Sequence, residues 1–485
     1  MVLDDLRDVA LRNDPAARLV GSGMVGATTV THDSRQATPG SLFACVRGAS
    51  ADGHAFAVDA VRSGASAVLV DHELDPASLT PPNGGHPVPQ LVVSDVRQAL
   101  GPIASAVFGD PSATMDIVGV TGTNGKTTTA HLVAGILAAD GRRCEVVGTL
   151  SGVRTTPEAP ELQQLLAGYA RAGSDAVAME VSSHALDQHR VDGTRFAVAA
   201  FTNLSVDHLD YHADLESYYR AKARLFTAEL CDHAVVNVDD EAGRRLAVEA
   251  TVPVTTCSSA DATGVHIAAD GIDFHWRGHQ VHLHLAGRFN VANAVTAATA
   301  AEVLGVAPDV IARGLGSTMS VAGRFEQVDC GQPFAVVVDF AHTPDGLRHA
   351  LQAAREIAAG GRTIVVFGCG GERDTTKRAL MGQVAAELGV DMVLTADNSR
   401  SERTDDIIGA IVSGVDTVPG ARSRLTVQPD RRRAIATALA MAAPGDIVVV
   451  AGRGHEAMLT IGDRREPFDD RSVAAEVLAE MGWLS

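Results

Sequence analysis

The sequence predicts an α/β protein of about three domains, two of them built on parallel sheets. Short apolar runs alternate with helical patterns from about residue 115 onward, and a second such alternation starts near residue 323. Strands alternating with helices give mostly parallel sheets. The chain is 485 residues long, which suits about three domains. Residues 115–129 read Met-Asp-Ile-Val-Gly-Val-Thr-Gly-Thr-Asn-Gly-Lys-Thr-Thr-Thr. That is an apolar strand, a glycine-rich turn and a helix start, an order in which backbone N–H groups surround phosphate oxygens.

Taken in order, residues 1–112 hold apolar segments at 41–46, 67–70 and 90–93, with a Pro/Gly-rich loop near 79–87. Gly109-Asp110-Pro111 breaks any helix, so residues 108–113 read as a linker that closes a first domain at 1–112. A second domain, 113–322, opens with a strand at 115–120 and a helix from about 127 to 139. Strand-like runs recur at 176–181, 196–201 and 233–238, residues 265–285 alternate in short β-like pieces, and the alanine-rich stretch 287–304 reads as a helix. A third domain, 323–485, carries strands at 335–339, 363–367, 392–395 and 446–450, with helices at 377–388 and 431–442 among them.

Bulk properties exclude several classes. Hydrophobic residues make up 46% and charged residues 20%, an ordinary globular balance. A net charge of −19 argues against general nucleic-acid binding, so an anionic ligand must be met by local Arg, Lys and N–H groups. Six cysteines stand singly without a C-x-x-C pair, so no zinc ribbon or disulfide framework is indicated. The N-terminus lacks a signal-peptide pattern and no apolar run approaches the roughly 18 residues of a membrane span. A reduced, cytoplasmic protein is expected.

The glycine-rich turn departs from the standard phosphate loop, which needs a glycine five residues before Gly125; that place is Val120. A tight β–α turn alone would look similar. Lys126-Thr127-Thr128 at the helix start makes nucleotide binding the stronger reading: lysine supplies a point charge and the Thr127 hydroxyl suits Mg²⁺. Glu180 ends an apolar strand, where a carboxylate beside a phosphate loop can hold the same hard cation; a plain surface carboxylate is the alternative. His208 and His212 cluster with Asp207 and Asp210 after another strand, and could serve a second cation or position a phosphate. Lys222 reads by pattern as a solvated helix lysine.

Three turns of the third domain follow strands: 367–374 with Arg373, Asp397-Asn398-Ser399-Arg400, and Gly452-Arg-Gly-His-Glu456. No G-x-G-x-x-G spacing occurs at the first, which argues against a nicotinamide dehydrogenase. Guanidinium for carboxylate, carboxylate for ammonium and amide for either make a set suited to a zwitterion.

These pieces together resemble the Mur ligase family along nearly the whole chain, and most closely the branch that adds the third peptide residue to UDP-N-acetylmuramoyl-L-alanyl-D-glutamate. Asp33-Ser-Arg35, Asp52-Gly-His54, the loop at 121–128, Thr155-Thr-Pro157, Glu180-Val-Ser-Ser-His184, Gln188-His-Arg190, Asp207-His-Leu-Asp-Tyr-His212, Ala221-Lys222, Gly323-Arg-Phe-Glu326 and Asp339-Phe-Ala-His-Thr-Pro-Asp345 carry it, with the three turns above. The resemblance implies a smaller N-terminal α/β domain for the UDP-substrate, a central P-loop-type ATPase domain and a C-terminal Rossmann-like domain. It implies ATP and Mg²⁺ as cofactors, an acyl-phosphate intermediate, a diamino acid as second substrate, a place in peptidoglycan precursor synthesis, and a monomer.

Residue roles follow from the same resemblance. Gly122, Thr123, Asn124, Gly125, Lys126, Thr127 and Thr128 would hold the ATP phosphates, with Thr127 and Glu180 on Mg²⁺. Lys222 matches a carbamylated position and would be a metal-site oxygen ligand beside His208. Asn290, Arg324 and Asp339 fall where the family holds adenine, phosphate and ribose. Ser34, Thr155, Thr156, Ser182, Gln188 and Arg190 match UDP-muramoyl-binding positions, and Arg373, Asp397, Asn398, Arg400, Gly452 and Glu456 the amino-acid site.

Four departures stand out. Ser399 replaces the family's proline, which is expected to loosen that turn. Arg453 stands for lysine, Glu372 for aspartate, and Arg154 lies in a shortened segment where asparagine is common. Arg400 favours diaminopimelate, whose distal carboxylate an arginine fork answers, over L-lysine. A folylpolyglutamate-type ligase and a catalytically silent ATP-binding subunit are the competing readings.

Overall fold

The computed structural model describes residues 1–48, 51–152, 154–268, 270–358, 360–372 and 374–483. Apolar, β-branched runs become strands wherever two faces are covered. The first sheet holds β1 (Arg18–Val20), β2 (Thr29–Thr31), β3 (Ser41–Ala44), β4 (Ala67–Val70) and β5 (Gln90–Val92), in the order β1-β5-β4-β3-β2. Only β1 runs antiparallel to its neighbour. Helices Leu3–Leu11 and Val96–Val107 cover one face through Leu3, Leu6, Leu100 and Ile103; Ala57, Ala60 and Val61 cover the other. The break expected near residue 110 is a left-handed Asp110 followed by a short turn Pro111–Ala113.

The central sheet contains β6 (Asp116–Thr121), β7 (Cys144–Val147), β8 (Ala176–Glu180), β9 (Phe196–Phe201), β10 (Cys231–Asn237) and β11 (Val254–Cys257). Its order is β11-β10-β9-β6-β8-β7 and every pairing is parallel. The helix Lys126–Ala139 leaves the C-terminal end of β6 and packs against helices Phe289–Val303 and Pro308–Ser317. Small residues permit the close approach: a Cβ on Gly314 would stand 2.4 Å from the Cα of Ile136. An antiparallel trio, β12 (Thr263–Ala268), β13 (Gly271–Trp276) and β14 (His279–Leu283), adds Phe274, Trp276 and Val281 to the same core.

The last sheet joins β15 (Glu326–Gln327), β16 (Ala335–Asp339), β17 (Thr363–Phe367), β18 (Asp391–Leu394), β19 (Leu425–Val427) and β20 (Ile447–Ala451) in the order β15-β16-β20-β17-β18-β19. All but β15 run parallel. A hairpin, β21 (Met458–Ile461) and β22 (Arg464–Pro467), follows β20. In open parallel sheets the turns after the strands gather at one edge, where ligands bind. No helix among the described residues is long and apolar enough to cross a membrane.

Candidate active site

The phosphate loop leaves β6 at Thr121. Gly122 has φ +147 and a Cβ there would meet Thr202 Oγ1 at 1.9 Å; Gly125 has φ +86 and a Cβ would meet Asn293 Oδ1 at 2.2 Å. Both positions therefore exclude side chains. Backbone N–H of Thr123 donates to Asn203 O at 2.9 Å, that of Asn124 to Asn203 Oδ1 at 3.0 Å, and Thr202 Oγ1 donates to Asn124 O at 2.6 Å. Lys126 Nζ is folded onto the loop, donating to the carbonyls of Gly122 (2.9 Å) and Thr123 (2.8 Å), and burial lowers its pKa. Thr127 and Thr128 lie buried in the first turn of the helix.

Glu180, at the end of β8, is buried beside this helix. It accepts the Thr127 hydroxyl at 2.9 Å and the Thr149 backbone N–H at 2.7 Å. Thr149 escaped the sequence reading. It follows β7, the neighbour of β8, and its hydroxyl lies 3.0 Å from Thr155 Oγ1 and 3.3 Å from Glu180 Oε2; a hydroxyl residue just past a strand paired to the Glu180 strand was the signal. Thr156 Oγ1 donates to Glu180 O at 2.8 Å and accepts from Ser182 N at 3.1 Å, while Ser182 caps the helix Ser183–Asp187. Arg190 donates to Thr156 O (3.2 Å) and Gln188 Oε1 (2.7 Å), and Gln188 Nε2 donates to Tyr211 OH at 3.1 Å. Thr155, Thr156, Ser182, Gln188 and Arg190 thus form one network with Glu180. Ser34 lies apart in the turn Ser34–Gln36 after β2, where Asp33 caps the Arg35 N–H.

Lys222 overturns its pattern reading. The helix Leu215–Ala223 carries it inward, only 1% of the residue is exposed, and Nζ donates to Gly122 O at 2.8 Å, the same carbonyl that Lys126 uses. Burial, then the neighbouring Lys126 charge, press its pKa well below the ordinary lysine value. Tyr218 covers it with its ring centroid 4.3 Å from Nζ. His208 has φ +55 and places Nε2 3.5 Å from Asp207; burial holds its pKa at about 4 against the Asp207 charge.

Arg324 reaches across from the turn before β15. Its Nη2 donates to Thr127 Oγ1 at 2.9 Å and its guanidinium stacks 4.6 Å from the Phe340 ring centroid. Asp339 ends β16 and accepts the N–H groups of Phe325 (2.7 Å) and Ala341 (2.8 Å), while burial raises its pKa. Asn290 is buried with both amide ends engaged: Nδ2 donates to Ala286 O at 2.7 Å and Oδ1 accepts from Asn293 at 2.9 Å.

At the C-terminal edge of the last sheet, Asn398 Nδ2 donates to Glu456 Oε2 at 2.7 Å and its Oδ1 accepts from Thr460 N at 2.8 Å, which fixes the amide orientation. Gly452 has φ +108, and its missing Cβ leaves room for Asp397 Oδ2. Burial and then the Asp397 charge raise the Glu456 pKa. Arg400 donates to Gly371 O. Arg373 lies outside the described residues. The turn at Ser399 is closed rather than loosened: Ser399 is fully buried, accepts from Thr404 Oγ1 at 3.1 Å, and its carbonyl would stand 2.0 Å from a Cβ on Gly371. Hydroxyl bonding and close packing replace the restraint of a proline ring. Glu372, longer than aspartate, reaches Ser401 Oγ.

A phosphate loop facing a buried carboxylate, and a second sheet whose turns gather carboxylates, an amide and guanidinium groups, define a nucleotide-dependent ligase. Family models agree: the Mur ligase middle domain matches residues 120–301, the Mur ligase glutamate ligase domain 323–454, and the Mur ligase family catalytic domain 27–108. The chain belongs to the Mur ligase family. It is similar to the UDP-N-acetylmuramoyl-L-alanyl-D-glutamate–2,6-diaminopimelate ligase of Syntrophomonas wolfei, 42% identical over 93% of this chain and 94% of the relative. The ligase of the same name from Streptomyces coelicolor is 43% identical, over 94% and 93%. A solved structure of a ligase so named superimposes with a TM-score of 0.68 at 30% identity, covering 99% of both chains. MurF from Thermotoga maritima in complex with ADP shares the fold, with a TM-score of 0.63 at 18% identity, over 93% of this chain and 96% of that one.

Proposed function

We propose that this ligase uses ATP to join diaminopimelate to UDP-N-acetylmuramoyl-L-alanyl-D-glutamate, adding the third residue of a peptidoglycan precursor. Relatives more than 40% identical over nine-tenths of the chain carry that name, and Arg400, Asn398 and Glu456 at one sheet edge are the observation that carries the substrate choice. ATP and a UDP-linked substrate suit a reaction in the cytoplasm.

A carboxylate is a poor electrophile until it carries a leaving group. In the proposed first step a D-Glu carboxylate oxygen attacks the γ-phosphorus of ATP, the bond to ADP breaks, and an acyl phosphate forms. Thr155, Thr156, Ser182, Gln188 and Arg190 hold the UDP-substrate, with Ser34 on the N-terminal domain. The N–H groups of residues 122–128 receive the phosphates. Lys126 leaves the Gly122 and Thr123 carbonyls to meet them, and Arg324 adds charge at the same oxygens. Asp339 stands at the ribose, and Asn290, its amide engaged with Ala286 and Asn293, shapes the adenine end from within the fold. In the second step the amine attacks the acyl carbon, phosphate leaves with its electron pair and the amine loses a proton. Asp397, Glu456 and Asn398 orient the ammonium end, and Gly452 keeps the turn open beside them; Arg400 answers a carboxylate, a role the family resemblance also gives Arg373.

The donors fit Mg²⁺. Thr127 Oγ1 and Glu180 Oε2 are oxygens 2.9 Å apart at the loop, as a hard cation requires, with His208 and Lys222 nearby. Bound there, the ion would neutralise phosphate charge. The depressed pKa of Lys222 raises the share of neutral amine open to CO₂, and a carbamate would give that buried position the anionic oxygens that a metal site needs.

Product mass after incubation with ATP, the UDP-dipeptide and a panel of amino acids tests the reading. The diaminopimelate adduct is expected; a chain that prefers L-lysine overturns the role given to Arg400, and phosphate release without any amine dependence overturns the ligase assignment.

A further inference from the structure

One buried cation of the amino-acid edge has no part in the reaction above. Arg453 is wholly inaccessible, and its Nη2 donates to three main-chain carbonyls: Glu456 at 3.2 Å, Met458 at 2.9 Å and Phe468 at 3.2 Å. Its Nε and Nη1 are buried without a hydrogen-bond partner. Nη1 stands between two carboxylates, 3.7 Å from Asp397 Oδ1 and 3.8 Å from Glu456 Oε2. Of the other guanidinium groups near this edge, Arg431 is paired with Asp470 and Arg378 with Glu402, while Arg400, which also donates to Gly371 O, is the one given to the substrate carboxylate.

We infer that Arg453 is a positioning residue for the incoming amino acid: from beneath the site it holds the Asp397 and Glu456 carboxylates on either side of one guanidinium, ready for the substrate ammonium. The inference rests on the amino-acid site proposed above and deepens it. Two carboxylates around one guanidinium leave a single net negative charge, the complement of one ammonium. Without the cation they would repel each other, and one would take up a proton. Burial and Asp397 already push Glu456 toward its neutral form, while Arg453, Asn398 and Arg400 oppose them.

Arginine suits the task better than the family's lysine. Its planar fork anchors one nitrogen on the three carbonyls and leaves the other for the carboxylates, whereas a single ammonium must divide itself between the two jobs. Those carbonyls belong to the chain between Glu456 and Phe468. The cation therefore also ties the hairpin β21–β22, whose Thr460 N–H orients Asn398, to the same floor.

The test is steady-state kinetics across pH with ATP, the UDP-dipeptide and diaminopimelate, on the wild type, Arg453→Met and Arg453→Lys. Arg453→Met is expected to raise KM for the amino acid about tenfold or more. It should also move the acid limb of kcat/KM for that substrate to higher pH by about one unit, because loss of the cation raises the Glu456 pKa and the protonated acid no longer answers an ammonium. KM for ATP and for the UDP-dipeptide should stay near wild type. Arg453→Lys keeps the charge, so its limb should stay at the wild-type pH while KM rises less. Should the Met variant not fold, Lys alone decides: an acid limb displaced upward in that variant overturns the inference. An unmoved limb in Arg453→Met, or an equal rise in KM for all three substrates, overturns it as well. A wild type without diamino-acid-dependent phosphate release would instead sink the assignment of the site itself.

Discussion

Asp470→Ala is the perturbation whose size follows most directly from the structure. Arg431 and Asp470 are both wholly buried, and their side chains meet through two parallel bonds, Nε to Oδ1 at 2.7 Å and Nη2 to Oδ2 at 2.6 Å. Arg431 also donates to Ala396 O at 3.1 Å and Ala451 O at 3.0 Å. Those carbonyls immediately precede Asp397 and Gly452, so one guanidinium joins the ends of the chain segments that carry the proposed amino-acid site. Removing the carboxylate strands a charge in a dry interior, which costs about 3–5 kcal/mol. At about 1.4 kcal/mol per decade, the segments holding β18 and β20 should open at least about 10²-fold more often. Hydrogen exchange resolved by peptide, over residues 391–394 and 447–451, reads that opening directly. Steady-state KM for the amino acid should rise with it, while KM for ATP stays close to wild type. The double variant Arg431→Met/Asp470→Leu removes both charges and should recover most of the protection, yet not the KM, because Ala396 and Ala451 remain untethered. A loss below about 1 kcal/mol in Asp470→Ala would refute the reasoning, as would a double variant no better protected than the single one.

Gly125→Ala places a Cβ 2.2 Å from Asn293 Oδ1 at a φ of +86; calorimetry should show ATP binding weakened by about 10²-fold or more, on the basis of roughly 1–3 kcal/mol each from overpacking and left-handed backbone. Lys222→Ala removes a buried amine that touches Gly122 O; kcat should fall by about 10²-fold or more, and intact-protein mass measured in the presence of bicarbonate should show one carbamate on the wild type and none on the variant. His342 Nδ1 donates to Phe340 O at 2.8 Å, and burial holds its pKa at about 4, below the ordinary 6.5. Its neutral form stabilises the fold fully above pH 6.5, and that contribution is lost as the pH falls toward 4, where the unfolded chain binds the extra proton. Melting temperatures between about pH 7 and pH 4.5 should fall less steeply in His342→Gln than in the wild type.

What was legible in the sequence follows physical rules. Strands β6, β9, β16 and β17 are continuous apolar runs because helices cover both faces of their sheets, and such runs stand out. β1, β2 and β19 are three residues long and lie at or near sheet edges; so short a segment carries little periodicity, and none of them was anticipated. The hairpin β21–β22 was missed although Ile461-Gly-Asp-Arg464 is a good turn signal, because its strands are mostly polar. The glycine-rich turn after β6 and the place of Glu180 at the end of β8 were legible from local pattern; its burial against Thr127 was not. Lys222 was not, since its burial depends on where the helix Leu215–Ala223 docks beneath a carbonyl one hundred positions earlier in the chain. Thr149 shares that difficulty, since it meets Glu180 only when β7 and β8 align in register; Arg453 bonds mainly to nearby carbonyls, and what the sequence hid is its burial.

Local conformation and site chemistry meet most clearly in the turns. Among the described residues, seven other than glycine have positive φ; His189 (55°) stands between Gln188 and Arg190, and four more lie in the turns of the candidate site: His208 (55°), Phe325 (51°), Glu372 (55°) and Arg400 (51°). A left-handed residue with a Cβ costs about 1–2 kcal/mol, so glycine would be the cheaper choice wherever the backbone alone mattered. The side chains explain why it is not used. His208 faces Asp207, Phe325 lies next to Arg324 with its N–H on Asp339, Glu372 reaches Ser401, and Arg400 reaches Gly371. Each strained residue is held by bonds to its own backbone. Asp207 Oδ1 accepts the His208 N–H at 2.8 Å, Glu402 Oε1 the Glu372 N–H at 2.5 Å, and Thr460 O the Arg400 N–H at 3.2 Å, while Gly462 donates back to Arg400 O at 2.7 Å. Strain persists only where surrounding structure over-determines it. The Arg400 turn is pinned from three sides, by β21, by Gly371 and by buried Ser399. It can therefore present a guanidinium in a fixed direction without a proline at position 399, and it is at this turn, rather than at the phosphate loop, that the choice of amine would be made.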